Sequence, residues 1–399
     1  MKYIFVLLLF IGLSPVMGQA QFEKALQTQF ILASDGDVIE IEAGNFQISG
    51  SLSLEGKKKI TIRGKGMDKT VLSFKDQKTG AEGIKITNCE NIILEDLTVQ
   101  DSKGDLIKTM HVKDIIFRRI KAEWTGGPKP QNGSYALYPV LCTNILIDSC
   151  IAIGASDAGI YVGQSKNIEI KNCTAYQNVA GIEIENSLYA DVHHNHAYGN
   201  TGGILVFDLP DLIQKKGGFV KVHDNLIEDN NLSNFAPKGN IVGKVPRGTG
   251  MLILATSNVD IFDNKILNHR TVGVGIISYF MAEIAIKDKE YDPYPTAISV
   301  YKNTFERRLG RVPLEGRFAQ IYRFKLRFGR DVPHIVYDGV LDSTRCGSDG
   351  QYLPQHRICV HQNLNQSVAN MDAEHDFKNV RRNPKELDCV QEYVKSNQF

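Results

Sequence analysis

The sequence predicts an all-β protein: a right-handed parallel β-helix (a solenoid) with an N-terminal capping helix and a C-terminal extension. Two observations lead there. Short stretches recur at a regular spacing, and within each stretch apolar and polar residues alternate. Gly159-Ile-Tyr-Val-Gly-Gln-Ser-Lys-Asn-Ile-Glu-Ile-Lys-Asn-Cys173 returns 22 residues later as Gly181-Ile-Glu-Ile-Glu-Asn-Ser-Leu-Tyr-Ala-Asp-Val-His-His-Asn195. Cys173-Thr-Ala-Tyr-Gln-Asn178 returns as Asn195-His-Ala-Tyr-Gly-Asn200.

The register extends in both directions. One equivalent position falls at Leu97, Ile120, Cys150, Cys173, Asn195, Asn225, Asn264 and Asn303, in steps of 22 to 39 residues. The shortest step holds three strands of about five residues with their turns, and successive coils stack about 4.8 Å apart. Longer steps carry insertions.

Alternation assigns the faces. On strand one of each coil, Ile84/Ile86, Ile160/Val162, Ile182/Ile184, Ile204/Val206 and Met251/Ile253 point inward. On strand two, Ile92/Leu94, Ile115/Phe117, Ile145/Ile147, Ile168/Ile170, Val220/Val222, Val259/Ile261 and Ile298/Val300 do so. Asn195, Asn225, Asn264 and Asn303 are expected to form a ladder of amides at a bend, satisfying groups otherwise buried unpaired.

An open coil exposes unpaired strand edges, so both ends need covers. Phe22 to Ala33 carries Phe22, Leu26, Phe30 and Ile31, a spacing that suits an amphipathic capping helix. The reading divides the chain into a signal peptide (1–20), a parallel β-helix (21–310) and an extension (311–399) that closes or packs on it. The signal peptide rests on Lys2, the apolar run Ile4 to Leu13, Pro15, and the small residues of Gly18-Gln19-Ala20 at the cleavage site. That run is too short for a spanning helix, and no later run is long enough to cross a bilayer. The expected location is the periplasm or the exterior.

Of 399 residues, 42% are hydrophobic and 23% charged, which suits a large core and excludes a disordered chain. Lys and Arg number 46 against 45 Asp and Glu, so any electrostatic message lies in distribution. Four cysteines (Cys89, Cys142, Cys150, Cys173) lie in the repeat and three (Cys346, Cys359, Cys389) in the tail. An oxidising compartment permits one tail disulfide, with three pairings open.

Gly36-Asp37-Val-Ile-Glu-Ile, then Gly44, then Ile60-Thr-Ile-Arg-Gly64-Lys-Gly66 resembles the opening coils of the pectate-lyase-like β-helix superfamily. Gly181-Ile-Glu-Ile-Glu-Asn186, Gly202-Gly-Ile-Leu-Val-Phe-Asp208-Leu-Pro210, Asn234-Phe-Ala-Pro237 and the tail's Asp331-Val-Pro333 and Tyr337-Asp-Gly339 resemble, more narrowly, a family of exported bacterial β-helix repeat proteins. The resemblance spans most of residues 35 to 390. It implies the fold and, through the superfamily, lyases, hydrolases or epimerases of acidic polysaccharides. The narrower family implies no particular reaction. The Gly-Gly-x-Gly-x-Asp calcium repeat, a phosphate loop and a metalloprotease helix motif are all absent from the sequence.

Insertions flank strand one: Trp124 to Tyr135 and Asn230 to Thr249 before it, Asp208 to Phe219 and Tyr279 to Ala297 after it. Loops on both sides of one stack are expected to wall a groove. The outward residues there run Lys85, Lys108, Tyr138, Tyr161, Glu183, Leu205, Leu252 in one column. The next column runs Thr87, Met110, Val140, Gly163, Glu185, Phe207, Leu254. Asn88, His111, Leu141, Gln164, Asn186 and Asp208 follow at the bend. The late apolar positions call for a cover, from a loop, the tail or another subunit.

Glu183 and Glu185, with Asp208 on the next coil, suit acid and base roles in glycoside hydrolysis, or a calcium ion. Lyase or epimerase chemistry instead needs a base for the proton α to a uronate carboxylate, and positive charge for the enolate-like intermediate. Tyr138, Tyr161, His111 and Lys108 supply such groups, with Lys85 beside them. The plain alternative is a solvated strand face.

His193 and His223 stand at equivalent outward positions near His196, which suits a metal or a bland surface; no ligand set is fixed by spacing, and no metal ligand is assigned. From Arg307 to Arg330, eight Arg or Lys face the single acidic Glu315. Within that stretch Arg323, Lys325 and Arg327 alternate with Phe324, Leu326 and Phe328, predicting a strand with a basic, substrate-binding face.

Two functions follow. One is an enzyme on acidic polysaccharide, lyase or epimerase before hydrolase. The other is a non-catalytic β-helix module that binds glycan or another exported protein. Nucleic acid is not an expected partner.

Overall fold

The computed structural model describes residues 18–391, apart from 309, 311 and 314–316. The expected signal segment lies outside the described residues except for Gly18, Gln19 and Ala20. Among the described residues no helix is long and apolar enough to cross a membrane.

The chain winds as a parallel β-helix. Strand one of each coil builds a 12-stranded sheet, and the other two strands build a 19-stranded sheet that turns a corner. Neighbouring coils pair in register: Tyr161 lies opposite Glu183, and Glu183 opposite Leu205. Every inward pair named from alternation is buried. These side chains merge into one continuous core from Leu26 to Leu387. At about 25 cal/mol per Å² of apolar surface, that axial core supplies the main stabilising term.

The asparagine ladder forms as expected. The Asn225 side chain donates to Val192 O (2.9 Å) and Asn264 Oδ1 (2.9 Å), and its own Oδ1 accepts from Asn195 Nδ2 (3.0 Å). The ladder ends one rung later, at Asn363. A second one, Asn178, Asn200 and Asn230, lines the next bend with the same bonding.

Both ends are closed. The helix Gln19–Leu32 buries Leu26 and Phe30 on the first coil, and Phe22 stacks on Phe46 at 3.8 Å. Ile31 was expected on that face but is exposed, because residues 22, 26 and 30 already define the stripe and 31 lies a further 100° round the helix. Parallel pairing runs past residue 310: Ile335–Tyr337, Ile358–His361 and Val368–Asn370 each continue a ladder. The repeat faded from view there because residues 307–334 interrupt it. Cys359 and Cys389 form the disulfide, tying the tail to the last coils, while Cys346 is free.

The basic segment is not a strand. Arg317–Gln320 and Ile321–Lys325 are helical, so Arg323, Lys325 and Arg327 do not share a strand face. Phe324, expected inside, is exposed. A segment with both charge and aromatic alternation reads as a strand only if it joins a sheet, and this one packs as a cover through Ile321, Tyr322 and Phe328.

Candidate functional site

The site face is the outer surface of the 12-stranded sheet, built by Ile84–Thr87, Ile107–Met110, Tyr135–Val140, Ala158–Gly163, Ala180–Glu185 and Gly202–Phe207. The bend after each of the first five of these strands takes one left-handed residue: Asn88, His111, Leu141, Gln164 and Asn186 all have φ between 42° and 56°. A short turn of this kind fixes how the outer columns line up.

The face has two halves. On the early coils Lys85, Lys108 and Tyr138 are half-buried and His111 is exposed. Lys85 and Lys108 are register partners, and Lys108 is the partner of Tyr138. The Lys108 ammonium lies 4.9 Å from the Tyr138 ring centre and 3.9 Å from Glu82. Asp105, at the entry to the strand Ile107–Met110, accepts from the Tyr135 amide at 3.2 Å. Burial pushes the Asp105 carboxyl up to about 6, with Lys108 pulling the other way. Burial also pushes the Tyr138 hydroxyl up to about 12.

From Tyr161 onward the face is covered. Tyr161, Glu183 and Glu185 retain only 4%, 1% and 7% of their exposure, against the solvated row the alternation suggested. The Tyr161 hydroxyl donates to Glu185 Oε1 at 2.6 Å, and Gly163 leaves room for it: a Cβ there would lie 2.2 Å from that oxygen. Tyr135, Tyr138 and Tyr161 pack as a trio with ring centres 4.3–5.0 Å apart. Glu183 Oε2 has no hydrogen-bond partner among the described residues. Asp157 meets Asn240 Nδ2 at 3.3 Å. Asp208 accepts from the Gly217 amide through Oδ2 (3.0 Å), while Oδ1 is unpartnered. Burial holds the Asp157, Glu185 and Asp208 carboxyls at about 7 and raises Glu183 well above the usual range. This is a row of carboxylic acids that hold their protons well above the usual carboxylate range.

The inserted loops do not wall a groove over these coils; they fold down onto them. Val242 and Val245 from one loop, Tyr279 and Tyr291 from another, and Tyr322 and Phe328 from the helical segment join Leu205, Phe207, Leu252 and Leu254 in a second apolar cluster. The apolar late columns had called for such a cover. Tyr291 donates to Asp208 O (2.6 Å), and Lys215 pairs with Asp288 (2.8 Å).

The structure therefore gathers Lys85, Lys108 and Tyr138 in one open cluster, and Tyr161, Glu183 and Glu185 in a closed one with Asp208 adjoining. Lys325 pairs with Asp376 on the tail instead. Alternation missed Asp105, Asp157, Tyr135 and Asn240. Asp105 and Asp157 stand two and three residues ahead of the inward Ile107 and Ile160, at strand entries where the period-two signal has not begun.

His193 and His223 do stack, at 5.0 Å, and the stack continues through Phe262, Tyr301 and His361. Their ring nitrogens meet Glu169, Asp191 and Asp224. Among the described residues no group of three or more His, Cys, Asp or Glu is placed to hold a metal ion.

A coiled parallel sheet with one half-open polar face defines a β-helix protein. The chain belongs to the right handed beta helix region family, whose model matches residues 49–208 and 130–285, together more than half of the chain. The pre-neck appendage protein of Bacillus phage B103 is 28% identical over 222 residues, covering 46% of this chain and 24% of the phage protein. That of Bacillus phage PZA is 24% identical over 273 residues, covering 60% and 31%. The chain thus spans less than a third of the length of these curated relatives. Among solved structures, the A-module of a mannuronan C-5 epimerase from Azotobacter vinelandii superposes with a TM-score of 0.53 at 13% identity, over 88% of this chain and 91% of the module. At that identity the likeness is one of fold.

Proposed function

We propose that the protein is exported and acts on an acidic polysaccharide at the open half of the site face, as a lyase or an epimerase. The observation that carries this reading is the cluster of Lys85, Lys108, Asp105 and Tyr138. Lys85 and Lys108 on adjacent coils suit successive carboxylates of one glycan chain lying along the solenoid. A carboxyl held at about 6 is mostly ionised at neutral pH yet basic enough to take a proton. Asp105 takes the proton α to a uronate carboxylate, and Lys108 stabilises the negative charge that develops. Tyr138, protonated at neutral pH, gives its proton to the departing glycosidic oxygen as that bond breaks and the carbon–carbon double bond forms. In an epimerase the glycosidic bond stays, Asp105 keeps the proton it took, and Tyr138 delivers its own to the opposite face of the same carbon. The polysaccharide activity named for the epimerase module is in keeping with this reading, as is the resemblance to the pectate-lyase-like superfamily.

A second reading, a non-catalytic glycan- or protein-binding module, is favoured by the closure of the face over Glu183 and Glu185 and by the phage appendage relatives. One experiment separates the two. The protein without residues 1–20 is incubated with pectate, alginate, glycosaminoglycans and sulfated algal glycans, with and without calcium. Ultraviolet absorbance reads unsaturated product, reducing ends read hydrolysis, and NMR reads epimerisation. Activity on one glycan that falls about a hundredfold to ten-thousandfold in Asp105→Asn supports the enzyme. Retained binding with silence in all three readouts establishes the module.

A further inference from the structure

The closed half of the face is unused by the reaction above, and its construction is unusual. Four carboxyls, Asp157, Glu183, Glu185 and Asp208, sit under the cover with little to neutralise them. The charged groups facing Glu183 are Asp157 and Glu185, both acidic. Glu185 faces the Tyr161 hydroxyl, and Asp157 faces Asn240, Tyr135 and Asp105. Among the described residues, Asp208 is the member of the row with a cation set against it, Lys216, and that ammonium is already bonded to Asp292. Such a row is comfortable only while neutral, since an isolated buried carboxylate loses its hydration with nothing to replace it.

The loop over the row is tied within itself. Asn234 Nδ2 donates to Val242 O (3.0 Å) and Val245 O (2.9 Å), tying residues 234–245 into one compact loop. Asn240 bonds to Asp157 in the acid row, Val242 and Val245 add apolar contact, and Lys244 donates to Ala282 O on a neighbouring loop. Gly248, at φ 84°, closes the loop where it re-enters the sheet.

We propose that residues 232–247 form a proton-gated cover, closed while the row beneath is neutral and lifted when Glu183 and its neighbours ionise. Lifting admits water to the carboxylates and uncovers the continuation of the open half, lengthening the surface along the solenoid. The sign follows from linkage: a group that is more acidic in the open state favours opening as pH rises.

The test uses the full chain carrying Val242→Cys, a fully buried position. The labelling rate of the introduced thiol, followed on its own peptide by mass spectrometry, reports opening. Rates are compared with and without Glu183→Gln at each pH, so thiol ionisation cancels. The expected ratio is near one at pH 4 and about tenfold or more at pH 8, since one unit of pKa difference between closed and open states is a factor of ten. A ratio that stays near one across the range overturns the gate. Asp157→Asn repeats the comparison under the same criterion if Glu183→Gln does not fold. The readout needs no glycan, so its failure is separate from failure of the enzyme reading.

Discussion

The coils bearing Lys85, Lys108 and Tyr138 and those bearing Leu205, Leu252 and Gly275 share an inner face but not an outer one. Inside, Ile84, Ile107 and Leu137 give way to Ile204, Met251 and Val274, all fully buried. Outside, the early column is polar and half-open, and the late column is apolar and roofed by loops. Inward residues are constrained by the stack above and below, so the repeat preserves them. Outward residues answer to whatever lies over them, so one register can carry an open site and a second core. Glu183 and Glu185 mark the border, where polar residues of the open kind lie beneath a roof of the closed kind.

The contrast should be largest at Phe207, which is 1% exposed although it points outward. Phe207→Ala removes an aromatic ring from the second core and should lower stability by about 3–5 kcal/mol, measured by urea unfolding followed by circular dichroism. A surface residue in that register would cost within about 0.5 kcal/mol.

The border acids should appear in the pH dependence. Asp208 has its folded pKa raised to about 7 by burial, above the ordinary 3.8. Between about pH 4 and 7 the unfolded chain has released this proton and the folded chain holds it. The unfolded state then binds fewer protons, so stability falls as pH rises through that window and levels off above it. Asp208→Asn keeps an acceptor for the Gly217 amide and removes the charge. The variant should gain on the wild type by a few kcal/mol between pH 4 and 7, seen as diverging urea midpoints. Smaller again is Gly163→Ala. Its methyl would displace the Tyr161 hydroxyl from Glu185, a strain of about 1–3 kcal/mol, and thermal unfolding should report it while the asparagine ladders stay intact.

The same contrast explains what could be read from the sequence. Period-two alternation gives inside and outside, and it placed every inward pair from Ile84 to Val300. The equivalent asparagines from Asn195 to Asn303 marked a bend, because a buried amide repeated at one register has a partner above and below. The pair Asn178 and Asn200 carried the same signal for the second ladder. Loops have no period, so nothing in the pattern showed whether residues 230–249 would stand up as a wall or lie down as a roof. Asp105 and Asp157, at strand entries, fall in that same silence. The pairing of Cys359 with Cys389 rests on how the tail returns over the last coils, and the helical turn at Arg323 and Lys325 on the packing of Ile321 and Tyr322 in the second core.

The smallest effect on stability tests the open half most directly. Lys85 is half-buried on its strand and points away from the core, so Lys85→Ala should change the free energy of urea unfolding by no more than about 0.5 kcal/mol. If this half binds acidic glycan, the same substitution should still weaken retention on an immobilised acidic polysaccharide, and the deficit should shrink as salt screens the charge, since the Debye length falls to about 3 Å at 1 M. Lys85→Arg should restore most of the retention, because the charge is what the carboxylate requires. Unchanged retention in Lys85→Ala would move the glycan away from this column and leave the two halves differing in exposure alone. Lys108 cannot make this separation, because its ammonium also packs on Tyr138 and a neutral side chain there disturbs stability and binding together.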